Sequence, residues 1–294
     1  MTTYKCPWCW SEDTKLYLKL IDEFLTKEPF EIHVCASCGL LFTEPRPDAA
    51  HIGSYYKSEN YFSHQENKKG FVPKLYEKVK HVNLKNKYKM TTEGMKAGKM
   101  LDIGCGVGDF LKTMEEHQWQ VFGIEPDEDA KNIVRKRTKA ELYSPNEIVK
   151  LQDESFDLIT LWHVLEHIED LNNELNELKR LIKRSGRIVI AVPNYKSYDG
   201  QYYKQYWGAY DVPRHLSHFN KQTLSKIFAS KGLELKKTEK LVWDAYYVSY
   251  LSEQYKKHHL ALFRGAFRGW ISNCKARRTG EWSSMVYIFE PKKA

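Results

Sequence analysis

The sequence predicts an α/β fold: a Rossmann-like, doubly wound, mostly parallel sheet preceded by a small cysteine-knuckle module. Three observations predict it. Two CxxC pairs, CPWC at 6–9 and CASC at 35–38, stand near the N-terminus. An apolar strand runs straight into a glycine loop, LDIGCGVGDF at 101–110. From Lys99 onward, strand-like and helix-like segments alternate.

The elements follow in order. Cys6, Cys9, Cys35 and Cys38 form two pairs 25 residues apart, a spacing that suits a closed tetrahedral four-thiolate zinc site with a structural role. Between the pairs, KLYLKLIDEFLTKEPFEIHV alternates like a hairpin with its turn near Lys27–Pro29. Pro45 and Pro47 mark an exit segment, so residues 1–66 read as a zinc ribbon with its exit and 67–294 as the main domain. The two are expected to keep separate cores. Residues 68–97 read as a basic, weakly amphipathic helix with Leu75, Val79, Val82 and Tyr88 among its apolar positions. Next come strand KMLDIG, helix DFLKTMEEHQW, strand QVFGIE, helix DEDAKNIVRKRT and a short strand at Glu141–Tyr143. Strand SFDLITLW, a leucine-striped helix expected to stop at Gly186, and strand GRIVIAVP complete the rhythm. A Tyr-rich insertion follows at about 195–220, then helix KQTLSKIFASKG and late strands LELKKTEKLVW and SSMVYIFE.

Charge is uneven. Residues 1–66 carry 6 Lys+Arg against 10 Asp+Glu, and residues 100–193 carry 12 against 18. The basic excess sits in residues 67–99, 10 against 2, and 194–294, 18 against 8. It reads either as a funnel for an anionic substrate or as solvated helix surface. An acidic ribbon argues against specific nucleic-acid binding. No run of about 18 apolar residues is present, so no membrane span is expected. The N-terminus has no signal-peptide pattern, and a cytoplasmic address is expected.

The glycine loop narrows the ligand. Glycines at 104, 106 and 108 allow a sharp turn and close approach of a ligand at the carboxyl edge of the first strand. The spacing is GxGxG rather than the dinucleotide GxGxxG, and Asp109 at the helix start would repel a diphosphate. An uncharged or cationic nucleoside fits better. Glu125, 23 residues after Asp102, ends the second strand and can accept both hydroxyls of a ribose.

These segments resemble the class I S-adenosylmethionine-dependent methyltransferases. LDIGCGVGDF looks like their first motif, GIEPDEDA their second, SFDLITLWHVLEHIED their fourth-strand motif and GRIVIAVPN their fifth. The resemblance covers residues 70–294 and implies S-adenosylmethionine as cofactor. It implies that Asp102 and Gly104 face the methionine end, Glu125 the ribose and Tyr143 the adenine, with Gly106 also binding the cofactor. HVCASCGLLFTEPRP resembles the zinc ribbon of small-molecule and sugar methyltransferases of this type. The expected reaction is methyl transfer to a small polar acceptor, with a sugar or nucleotide sugar and O-methylation favoured. An RNA-modifying methyltransferase and a non-catalytic binder are the alternatives.

WHVLEH places His163, Glu166 and His167 after the fourth strand, where an acceptor should lie. His163 reads as a general base, as a structural residue, or with Glu166 and His167 as a metal ligand. The ubiquinone-biosynthesis O-methyltransferases are similar here but carry an acidic residue at the first position. PRHLSHF offers Arg214 for an anionic acceptor, His215 as a second catalytic candidate, and His218. The Tyr-rich stretch Tyr195–Tyr210, with Trp207, is expected to close as a lid.

Overall fold

The computed structural model describes residues 4–48, 51–56 and 71–292, with the side chains of 71–79 left aside. The expected positions Leu75 and Val79, and residues 57–70 of the exit segment and helix start, lie outside what is described. Within the described residues helix α1 runs Phe71–Thr92, ending before the expected residue 97, and Val82 on it is exposed while Leu84 and Tyr88 pack inward.

The α/β unit forms as the periodicity predicts. Strands β4 (Lys99–Ile103), β5 (Gln120–Ile124), β6 (Glu141–Tyr143), β7 (Phe156–Trp162) and β8 (Ile182–Pro193) all pair in parallel. Helices α2 (Asp109–Glu116), α3 (Glu128–Arg137) and α4 (Leu171–Leu181) connect them. Asp127 and Asp170 start α3 and α4 by accepting the Ala130 and Asn173 amides at 2.7 and 3.0 Å. Leu171, Leu175, Leu178 and Leu181 line the buried face of α4.

Strands β10 (Leu233–Lys240) and β11 (Ser284–Pro291) extend the sheet, giving the order β10-β11-β8-β7-β4-β5-β6. β11 is antiparallel to both neighbours. Gly186 does not stop α4. It sits inside β8 at a register shift, where a Cβ would stand 3.0 Å from the Phe156 carbonyl oxygen. The sequence reading also passed over a helical hairpin between β10 and β11, α7 (Asp244–Tyr255) and α8 (Ala261–Thr279).

The ribbon strands β1 (Thr14–Ile21), β2 (Pro29–Cys35) and β3 (Leu41–Glu44) form an antiparallel sheet. Its fourth strand, β9 (Ser217–His218), comes from the insertion and pairs Leu41 with His218 and Phe42 with Ser217. The insertion also supplies α5 (Tyr198–Tyr203) and leads into α6 (Lys221–Ala229). The expectation of separate cores is corrected here. Cys6, Cys35, Leu40 and Phe42 share one apolar cluster with Leu101, Ile190, Phe219 and Phe228.

The lid reading is corrected too. Tyr195, Tyr203, Trp207 and Tyr210 are buried together with Leu20, Phe30, Ile32 and Leu41 of the ribbon. Aromatic area locked into a dry core stabilises the junction and is not available to open and close over a substrate.

Candidate functional site

Four elements end together at the carboxyl edge of the sheet: β4, β5, β7 and the start of α7. After β4, Gly104, Gly106 and Gly108 have φ of 70°, 53° and 78°. Gly104 is packed, since an added Cβ would run into the Val164 side chain. Gly106 differs: a Cβ there meets nothing within 4 Å. Its bare backbone faces open space, the cradle a nucleoside ligand needs.

Glu125 at the end of β5 accepts the Gly106 amide through Oε2 at 2.8 Å and the Asp127 amide through Oε1 at 3.0 Å. Each oxygen keeps a further lone pair, so the carboxylate is held in place and can still accept two hydroxyls. Tyr143 ends β6 alongside, its carbonyl accepting the Glu125 amide at 3.1 Å and its hydroxyl donating to Glu141 at 3.2 Å. Asp102, at the end of β4, is buried and accepts from Thr160 Oγ1 at 2.5 Å. Burial pushes its carboxyl up to about 7, against the pull of the Thr160 hydroxyl and the Lys87 ammonium.

His163 lies just past β7 with φ of 57°, its amide bonded to the Ala191 carbonyl at 2.9 Å. The ring is gripped from both sides. Nε2 is 3.0 Å from Asp244 Oδ2 and Nδ1 is 3.4 Å from Glu166 Oε1. Burial opposes a charge on the ring, but the two carboxylates outweigh it and push the imidazole up to about 10. Both ring nitrogens face carboxylates, an arrangement that favours the charged ring over the free base. It offers a cation that balances two carboxylates. Asp244 and Lys87 were missed by the sequence reading. Lys87 on α1 lies over the Trp162 ring at 4.1 Å, and burial depresses its ammonium against the attraction of Asp102 and Asp244. No local motif marks either residue, because only the fold brings α1 and α7 to β4 and β7.

The expected trio His163, Glu166 and His167 does not converge. Glu166, His167 and His215 do, each offering a ligand atom within 4.8 Å of the others. His167 Nδ1 is 3.0 Å from both the Tyr56 hydroxyl and the Arg214 carbonyl, and His215 Nδ1 is 2.9 Å from the Ala209 carbonyl. The two rings meet edge to face at 4.6 Å. Burial, then the neighbouring His215, hold His167 down to about 4. His215 and His163 thus both lie near Glu166, whose two buried carboxylate oxygens have no hydrogen-bond partner among the described residues. His218 is buried in the ribbon junction against Thr43 Oγ1 at 3.0 Å.

Arg214 is not directed at an acceptor. Its guanidinium is 1% exposed, with Nη2 2.9 Å from Asp22 Oδ1 and 2.6 Å from Asp211 Oδ1. It clamps the ribbon turn to the insertion.

In the ribbon, the Sγ atoms of Cys6 and Cys38 are 3.6 Å apart and those of Cys9 and Cys35 3.5 Å apart. All four lie within 4.8 Å of one another. Tetrahedral zinc–thiolate bonds of about 2.3 Å require sulfur separations of about 3.8 Å, so the cluster fits a zinc ion with little adjustment.

Comparison with known proteins agrees with this frame. A family model described as "Methyltransferase domain" matches residues 72–238. A demethylmenaquinone methyltransferase of Thermotoga maritima is 30% identical over 115 residues, 37% of this chain and 50% of that protein. A ubiquinone biosynthesis O-methyltransferase of Coxiella burnetii is 26% identical over 112 residues, 35% of this chain and 48% of that protein. The chain thus spans about half the length of the curated relatives it matches. Among solved structures, phosphoethanolamine N-methyltransferase 2 of Haemonchus contortus superposes with a TM-score of 0.52 at 14% identity, covering 95% of this chain and 69% of that one. That likeness shows the fold. With the family model spanning more than half of its residues, the chain belongs to the methyltransferase-domain family.

Proposed function

We propose that this chain transfers a methyl group from S-adenosylmethionine to a small polar acceptor, a sugar or nucleotide sugar being the class favoured and oxygen the favoured atom. One observation carries the reading: the Glu125 carboxylate, fixed 2.8 Å from the Gly106 amide, stands beside a glycine whose Cβ position is open. When bound, the cofactor supplies an electrophilic methyl on a sulfonium. Glu125 would hold its ribose, Tyr143 would flank the adenine, and Asp102 with the Gly104 and Gly106 backbone would receive the methionine end. Methyl transfer from a good leaving group gains mainly from holding acceptor and methyl in line. His163, its two ring nitrogens held by Asp244 and Glu166, would line the acceptor site and fix its charge, with His215 as the second candidate beside Glu166. Four thiolates would hold a structural zinc ion, a site that suits the reducing cytoplasm.

The test is mass spectrometry of candidate nucleotide sugars and cell extracts incubated with the protein and deuteromethyl cofactor. A single acceptor gaining the label is expected. Calorimetry in which S-adenosylhomocysteine gives no signal, or in which Glu125→Ala binds it as tightly as the parent, would sink the reading. The expected loss for Glu125→Ala is about 1–3 kcal/mol, for a charged acceptor removed from two hydroxyls.

A further inference from the structure

Helix α8 is built inside out. Its buried face consists of Gly265, Gly269, Ser272, Asn273 and Ala276. These residues seat it closely on α7: a Cβ on Gly265 would stand 2.5 Å from Tyr250 Cα, and one on Gly269 2.7 Å from Tyr246 Cα. The large apolar side chains point the other way. Phe263, Phe267 and Trp270 are 71%, 56% and 54% exposed, and their i, i+4, i+7 spacing makes them one stripe. Leu260 and Leu262 extend it at the start of α8, and Tyr247 adds an exposed ring on α7. A helix pair with small residues at its seam and bulky apolar residues outside is the arrangement expected where the surroundings are apolar.

Charge says which apolar surroundings. Residues 256–280 contain seven Lys+Arg and no Asp or Glu. Lys256 and Lys257 precede the stripe, and Arg277 and Arg278 close α8 on its exposed side. An aromatic stripe rimmed by cations suits a helix lying in the headgroup layer of an anionic bilayer. A second copy of this chain suits it less, because two-fold pairing would stack the same cations on each other. Among the described residues no helix is long and apolar enough to cross a membrane, so the fit is to a surface.

We propose that the exposed face of the α7–α8 hairpin docks on an anionic lipid bilayer. Because α7 begins at Asp244, 3.0 Å from His163, docking would bring the candidate acceptor site next to the lipid surface. The inference stands on the hairpin alone and does not depend on the methyl-transfer reading.

The test is co-sedimentation of the full chain with vesicles of phosphatidylcholine, alone or with about one-third phosphatidylglycerol, at physiological salt. The parent is expected to bind the anionic vesicles at least about tenfold more tightly than the neutral ones. Phe263→Ser/Phe267→Ser/Trp270→Ser should weaken that binding by about tenfold or more with an unchanged melting temperature. Arg277→Gln/Arg278→Gln, which leaves the apolar stripe intact, should weaken it several-fold and flatten its salt dependence. Three results would overturn the proposal: no preference of the parent for anionic vesicles; equal binding by parent and both variants; or a dimer in sedimentation equilibrium that the triple variant dissolves. Tight RNA binding through the same arginines, with no vesicle binding, would also overturn it.

Discussion

Replacing Gly106 by alanine separates ligand binding from folding. The residue has φ of 53° and open space where its Cβ would go. A left-handed alanine costs about 1–2 kcal/mol, while losing the glycine's freedom in the unfolded chain returns about 0.4–1 kcal/mol. The net loss of stability should be about 1 kcal/mol or less, a fall in melting temperature of about 2–4 °C. The new methyl would occupy the surface on which the cofactor lies. Affinity for S-adenosylhomocysteine should therefore drop by about 30-fold or more, equivalent to about 2 kcal/mol. Gly104→Ala is the contrast. It has the same backbone penalty, but its Cβ runs into Val164, an overpacking cost of about 1–3 kcal/mol more. Calorimetric titration and thermal unfolding of the two variants side by side check the argument. Parent-like affinity in Gly106→Ala, or equal stability losses in both variants, would refute it.

Three further outcomes are expected. Metal analysis of carefully prepared protein should find about one zinc per chain, and Cys35→Ser should lower the single unfolding transition of the whole protein, since Cys35 shares a core with the α/β sheet; loss confined to residues 4–48 in hydrogen exchange would contradict this. Arg214→Ala should destabilise by about 3–5 kcal/mol in denaturant unfolding, because Asp22 would be left buried without its counterion; a loss below about 1 kcal/mol would show the clamp to be idle. Acid should unfold the protein through His167: its folded pKa is lowered to about 4 by burial and by His215, so its contribution is present above about 6.5 and lost as pH falls through 4, about 3 kcal/mol in all. His163 works the other way, its pKa raised to about 10, so the stability it adds below about pH 6.5 declines as pH rises toward 10; a stability curve flat between pH 4 and 10 would count against both.

What was legible in the sequence follows from how local each signal is. Strands β4 to β8 announce themselves by apolar runs, and Glu141–Tyr143 forms the strand expected of it. The cysteines and the glycine loop are short-range patterns, and the structure gathers the one into a cluster and bends the other into a left-handed turn. Gly186 was misread because a glycine after basic residues looks like a helix stop, whereas here it relieves crowding against Phe156. The α7–α8 hairpin was missed because its apolar periodicity lies on the solvent side and its buried side is small and polar. Tyr195–Tyr210 looked like a lid because composition does not say which face of a ring is covered. The surroundings of His163 were not legible, since they depend on Asp244, 81 residues away in sequence.

The two-residue strand β9 sets a timetable. Residues 41–42 of the ribbon pair with residues 217–218, so this edge of β3 has no partner until about 175 further residues have been made. At synthesis rates of roughly 5–20 residues per second, the ribbon waits about 10–35 seconds with its thiols and apolar face uncovered. The ribbon thiols are therefore more open to oxidation in that interval than in the finished fold.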